Sequence, residues 1–255
     1  MLDLTVLILT YNERENLART LQAVAWAPRV LLIDSFSTDE TLEIARMFPN
    51  VAVAERAFDS FARQCNFGLT QITTPWVLSI DADYVLTPEL VKELRELEPP
   101  PEVAGFATEF YYNVHGRRLR STLYPPRTVL YQRLLATYAD EGHGHRVSVS
   151  GRIVPLAARI DHDDRKPLSR WMQSQDSYTK IEARHLWATS DAELSAQDRL
   201  RKRIFFAAPV MFLYLLVGRG LLLDGWPGWY YVAQRTIAEL LLSLRLLGER
   251  ERLER

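Results

Sequence analysis

Cysteine is nearly absent: Cys65 is the only one in 255 residues. No internal disulfide framework is available, and the chain suits a reducing compartment. No Cys/His cluster has zinc-site spacing. Charge of one sign is also missing. Lys and Arg number 31 and Asp and Glu 32, a formal net charge of −1, which excludes a chain-wide nucleic-acid footprint. There is no internal repeat and no low-complexity tract. The first residues lack a basic start, and their apolar run stops at "TYNERE", so no signal peptide is expected and the chain is expected to stay cytoplasmic. Long apolar runs are missing too. A membrane span needs about 20 apolar residues; Ile204–Val217 has 14 and contains Pro209. Extending it to Leu223 takes in Gly218, Arg219 and Gly220.

What is present is a globular composition, 47% hydrophobic and 25% charged, enough for one large domain with or without an appendage. Strand-like runs Leu4–Leu9, Val30–Ile33, Val51–Ala54 and Trp76–Ile80 alternate with helix-like stretches. Leu17, Leu21 and Val24 share one helical face, and Ser37 or Thr38 is placed to cap the helix "DETLEIARMF". Such alternation predicts a mostly parallel α/β sheet flanked by helices, with right-handed crossovers. Ligands of such sheets lie beyond the carboxyl ends of the strands. "TYN", "DSFSTD" and "DADY" stand at three of those ends. After the break "PPPEVAGF", further strand-like pieces read as an added mixed-sheet region, and a helix is expected after Pro167.

Asp81 and Asp83 close the fourth run. Residues two apart in an extended strand face the same side, so the two carboxylates converge if extension persists and not if the chain turns. A hard cation between them reverses their charge toward a phosphate-bearing substrate, as magnesium does with one or two carboxylates. An Asp-x-Asp alone is weak evidence, and a turn or helix-cap pair is its bland alternative.

Together, "TYNERENL", "LLIDSFSTDET", "QCNFGL" and "VLSIDADYVLTPEL" resemble the nucleotide-binding half of family 2 glycosyltransferases. They are most similar to the bacterial subgroup that decorates lipopolysaccharide cores and related envelope glycans. The resemblance implies a GT-A, Rossmann-like domain that uses a nucleotide sugar, a UDP-sugar by analogy, and a divalent cation, Mg or Mn, and that inverts the anomeric centre. It implies that Asp34 recognises the nucleotide, with Thr10 and Tyr11 closing the first strand beside it; the bland alternative for Asp34 is a turn residue. Asp81 and Asp83 would hold cation and donor. Two departures stand out: Tyr84 follows the pair where the subgroup carries an acidic residue, and Cys65 stands where many relatives carry Arg, a contact that Arg63 is placed to replace. His162 in "IDHDDRKPLSRW" is placed to approach the cation or diphosphate, or simply sits in a salt-bridged loop.

An inverting transfer needs a base for the acceptor hydroxyl. "YADEGHGHRV" offers Glu141, then Asp140, then His143, in a stretch whose two glycines predict a mobile loop. On this reading residues 1–198 form the transferase domain, with a nucleotide-sugar half at 1–98 and an acceptor half at 99–198, and residues 199–255 form a basic and apolar helical tail. Arg199, Arg201, Lys202 and Arg203 suit an anionic surface, and Trp226, Trp229, Tyr230 and Tyr231 suit an interfacial belt. The tail is expected to lie on or re-enter the inner face of the cell membrane, with core packing, a homodimer interface and a true span as the rivals. The expected acceptor is an envelope glycan or a lipid-linked molecule. Two other functions stay open: a nucleotidyltransferase, against which the acidic, glycine-free "TYNEREN" counts, and a non-catalytic sugar-nucleotide or membrane scaffold.

Overall fold

The computed structural model describes residues 2–141 and 144–253. In chain order the elements are β1 (Leu4–Thr10), α1 (Leu17–Ala23), β2 (Val30–Asp34), α2 (Thr41–Arg46), β3 (Val51–Glu55), α3 (Phe61–Gln71), β4 (Trp76–Asp81), β5 (Tyr84–Leu86) and α4 (Pro88–Glu96). Then come β6 (Val103–Thr108), β7 (Phe110–Val114), β8 (Arg117–Arg118), β9 (Arg127–Gln132), β10 (Ala136–Glu141), β11 (Gly144–Val149), β12 (Arg152–Pro155) and β13 (Ile160–His162). Helices α5 (Leu168–Ala188), α6 (Ala196–Lys202), α7 (Ala207–Leu213) and α8 (Trp226–Leu253) follow. They fall into two compact units, Met1–Arg118 with Thr122–Arg165, and Leu119–Ser121 with Lys166–Arg255.

The first unit is built on a seven-stranded sheet in the order β12-β6-β9-β4-β1-β2-β3. β1 runs parallel to both β2 and β4, and β3 parallel to β2. β9 enters antiparallel between β4 and β6. The inner strands are apolar on both faces because helices cover both: Leu4, Val6 and Ile8 join one buried cluster, and Leu7 joins the other. α3 packs closely over Leu7 through Gly68, where a Cβ would lie 2.6 Å from a Leu7 methyl. A four-stranded sheet, β5-β13-β7-β8, and the β10–β11 hairpin complete the unit.

Three local expectations change. α2 is not capped by Ser37 or Thr38: Asp39 accepts the Thr41 N–H at 3.0 Å, while Ser37 is committed to Asp34. The "YADEGHGHRV" stretch is not a simple loop, because Asp140 pairs with His145 and Glu141 with Gly144 in an antiparallel ladder. The "DAD" stretch does not stay extended, because β4 ends at Asp81 and the chain turns at Ala82 and Asp83.

In the second unit α8 packs on α5, α6 and α7. α5 begins directly after Pro167, whose fixed φ suits a helix start. Ala183, Leu186, Leu194, Ile204, Leu242 and Leu246 form its core. Arg120 bonds Asp224 through both backbone and side chain.

Candidate active site

The loops after β1 and β2 are laced together at the carboxyl edge of the sheet. Thr10 Oγ1 and Ser37 Oγ each donate to Asp34 Oδ2 at 2.7 Å, and the Ser37 N–H donates to Oδ1 at 2.7 Å. Asn12 N–H donates to Ser37 Oγ, and the Thr38 N–H to Asn12 Oδ1. Asp34 is fully buried, and its carboxylate ties the two loops together. Asn12 and Phe36 both hold positive φ, 54° and 60°. For a bulky residue such as Phe36 that is strained; its ring is exposed, as is that of Tyr11.

The turn after β4 is clamped from two sides. Thr20 Oγ1 donates to the Ala82 carbonyl at 2.6 Å, and the Asp163 N–H to the Asp83 carbonyl at 3.1 Å. The turn brings Asp83 Oδ2 to 3.3 Å from His162 Nε2. β13 seats His162 between Tyr84 of β5 and Tyr112 of β7, and Tyr124 stacks on its ring at 4.7 Å. Burial pulls the His162 pKa down, but the charge and hydrogen bond of Asp83, with Asp81 and Asp164, outweigh burial and the net shift is upward. Asp81, Asp83 and His162 therefore make one acidic neighbourhood.

By donor chemistry alone, this neighbourhood would suit a divalent cation. Two carboxylates and an imidazole would supply donors that such an ion accepts; without it, Asp83 and His162 pair with each other. Nδ1 of His162 is buried with no hydrogen-bond partner among the described residues, so nothing on that side fixes which nitrogen carries the proton. Among the described residues no set of three His, Cys, Asp or Glu is arranged to enclose an ion. A cation here would complete its shell from phosphate and water.

Opposite the acidic pair stands Arg127. β4 and β9 pair as Trp76–Gln132, Val77–Tyr131 and Leu78–Leu130; continuing that register sets Arg127 across from Asp81, where the two strands have parted. Its guanidinium lies over the Tyr124 ring at 5.0 Å. Burial lowers its pKa, but the tyrosines and the two aspartates raise it further, for a net upward shift. Among the described residues no hydrogen bond or ion pair occupies it, so its donors are available to an anion.

α3 connects these parts. Gln64 is buried and donates to Ser35 Oγ and the Arg56 carbonyl. Asn66 bonds the Tyr138 backbone in both directions, 2.9 and 3.0 Å, which pins β10 two residues before Asp140. Cys65 is a core residue whose thiol pKa is pushed up by burial and by Asp81. Arg63 stands exposed on the first turn of α3, 3.6 Å from Asp59; it is not brought to Asp81 or Asp83 by any described contact. The side chains of Asp140 and Glu141, and His143 altogether, lie outside the described residues.

Residues 5–150, more than half of the chain, match the family model "Glycosyl transferase family 2". The chain belongs to that family. Its likeness to solved glycosyltransferases shows the fold, a GT-A α/β sheet with C-terminal helices. A mannosyltransferase of Pyrobaculum calidifontis, solved with GDP-Man and Mn2+, superposes with a TM-score of 0.57 at 15% identity, covering 97% of this chain and 87% of that one. S. aureus TarS with UDP-GlcNAc gives 0.50 at 17% identity, over 94% and 82%. Among curated relatives, an uncharacterized glycosyltransferase of Rickettsia typhi is 32% identical over 96 residues, 37% of this chain and 32% of that protein. The lipopolysaccharide core biosynthesis glycosyltransferase LpsC of Rhizobium meliloti is 30% identical over 102 residues, 38% and 36%. The matched stretch thus spans about a third of those relatives' length.

Within this family 2 chain, four functional features escaped the sequence. Thr20 and Asn66 act through hydrogen bonds to backbone 62 and 72 residues away. Phe36 carried no signal beyond its place in "DSFSTD". Arg127 carried one in principle: a cation opening a strand otherwise apolar, "RTVLY", but its partner strand was not legible.

Proposed function

We propose that the protein transfers a sugar from a nucleoside-diphosphate donor to an envelope glycan or lipid-linked acceptor, in a single displacement with inversion. The observation that carries this reading is the approach of His162 to Asp83 at the end of β4, in a chain of glycosyl transferase family 2. Asp81, Asp83 and His162 would hold a divalent cation, Mg or Mn, which neutralises charge building on the departing diphosphate. Arg127 donates to the same diphosphate from the opposite strand, a charge-assisted contact that strengthens as the leaving group departs. Tyr11 and Phe36 offer ring faces to the base at the strand edge, on a loop that Asp34 holds rigid. Glu141, Asp140 or His143, in that order, takes the acceptor proton at the end of β10. GDP-Man and UDP-GlcNAc in the two structural neighbours support the donor class and leave the base open.

The test is mass spectrometry of products from a panel of GDP- and UDP-sugars with envelope-glycan and lipid-linked acceptors, with and without chelator. Sugar transfer that stops in chelator and in Asp83→Asn supports the reading. Undiminished transfer in both refutes the cation site, and donor turnover without a glycosylated product refutes the transferase.

A further inference from the structure

The second unit exposes apolar side chains in a pattern. On α8, Trp226, Trp229, Ile237, Leu240 and Leu244 are exposed, and at 3.6 residues per turn they share one face. Tyr231, Leu242 and Leu246 on the opposite face are buried. α7 and its continuation repeat the arrangement, with Phe206, Val210, Leu213 and Val217 exposed and Ala208 and Leu215 buried. Both helices are therefore apolar on two sides, and the unit's own core uses one side of each. Ahead of α7, Ile204 holds φ at 60°, a costly conformation for a β-branched residue. It buries Ile204 and leaves Phe205 and Phe206 exposed.

Charge indicates what covers these faces. From Ile204 to Leu223 the only charged residue is Arg219. On α8, Glu239 is buried and bound to Arg201 at 2.8 Å. Among the described residues, the exposed charges beside the stripes, Arg203 and Arg219, are positive. A second copy docked face to face would bring only further arginines to this seam and no carboxylate to pair them, whereas anionic headgroups complement them. Exposed Trp226, Trp229 and Tyr214 add rings with polar tips, suited to a headgroup boundary. No described helix is long and apolar enough to cross a bilayer.

We infer that the second unit docks in plane on an anionic lipid surface through the exposed faces of α7 and α8. Insertion drives the docking more than charge does. Three of the four basic residues are already engaged: Arg201 binds Glu239, Glu182 and Asp198, Lys202 binds Asp191 at 2.7 Å, and Arg199 donates to the Asp191 carbonyl at 3.4 Å. That corrects the expectation of four basic residues available to lipid, and it makes the docking resistant to salt, because screening acts on exposed charge and not on buried apolar surface.

The experiment is co-sedimentation of the full chain with phosphatidylglycerol/phosphatidylethanolamine vesicles at low and high salt, beside Leu240→Ser/Leu244→Ser and Leu213→Ser/Val217→Ser. All four positions are exposed, so the variants should keep their circular dichroism and melting temperature. The unsubstituted chain should pellet at both salts, and each double variant should bind at least about tenfold more weakly. Should a variant unfold, quenching of tryptophan emission by brominated lipid in the unsubstituted chain reads the same contact. A chain that stays in the supernatant, variants that pellet normally, absent quenching, or a dimer that the double substitutions dissociate would each overturn the inference. Vesicle binding is read without turnover, so its failure leaves the transferase reading untouched.

Discussion

Replacing Thr20 by valine should damage a site that Thr20 does not touch. Its hydroxyl lies fully buried and donates at 2.6 Å to the Ala82 carbonyl, between the two aspartates. Valine keeps the shape and loses the donor. A net hydrogen bond is worth about 1 kcal/mol, and a buried carbonyl left unsatisfied costs about 1–3 kcal/mol. We expect about 2 kcal/mol of lost stability, which for a chain of this size lowers the melting temperature by about 4–8 °C. Rotation of the turn would relieve part of that loss by carrying Asp83 away from His162. Affinity for Mn2+ should then fall about tenfold, the usual scale for a partner that orients a ligand. Thr20→Ser keeps the donor and should stay near the unsubstituted protein. Differential scanning fluorimetry and calorimetric titration with Mn2+ read the two effects. If Thr20→Val melts and binds normally, or if Thr20→Ser is equally damaged, the clamp is not what aims Asp83.

Arg127→Met should weaken binding of a free nucleoside diphosphate about tenfold in calorimetry, with Arg127→Lys recovering part of it; unchanged affinity removes Arg127 from the diphosphate site. Cation binding must expel the proton that His162 holds with raised affinity, so Mn2+ affinity should be weak at low pH, climb as pH rises through that raised pKa and level off above it. His162→Gln should flatten the climb. Without cation the sign reverses for the fold: the His162–Asp83 pair stabilises most below the ordinary histidine pKa, and its contribution fades as pH rises through the raised value, which melting curves between pH 5 and 9 measure as about a few degrees at most. Glu141→Gln should cut the transfer rate about a hundredfold or more with donor binding unchanged; if Asp140→Asn is the variant that loses turnover, the neighbouring carboxylate is the base.

Elements bounded by strong local signals were legible. The runs of β1, β2 and β4 are apolar on both faces and stop at polar clusters, so the alternation of strands and helices was enough to place their end loops at one edge. α5 was legible from Pro167. What failed was non-local. The position of β9 between β4 and β6 leaves no mark in "TVLYQ", so Arg127 was missed. The basic cluster before α7 looked exposed because its neutralising partners, Glu182 and Glu239, lie 19 and 38 residues from Arg201. Local capping rules point to Ser37 or Thr38, whereas the Ser37 hydroxyl is drawn to a buried carboxylate three residues back. The β10–β11 pairing was hidden by glycines that suggested a loop.

The wedge position of β9 bears on how this protein can be taken apart. β4 would be the bare edge of a four-stranded sheet if the chain ended after α4, near residue 98. Trp76, Val77 and Leu78, which now pair with Gln132, Tyr131 and Leu130, would show unpaired amides on a long apolar strand, a template for edge-to-edge aggregation. Engineered chimaeras that transplant the strand-end loops should therefore carry the chain through Gln132. A cut at the composition break "PPPEV", natural as it looks on paper, should give insoluble protein, while co-expression of the complementary piece should rescue it by supplying the missing strand.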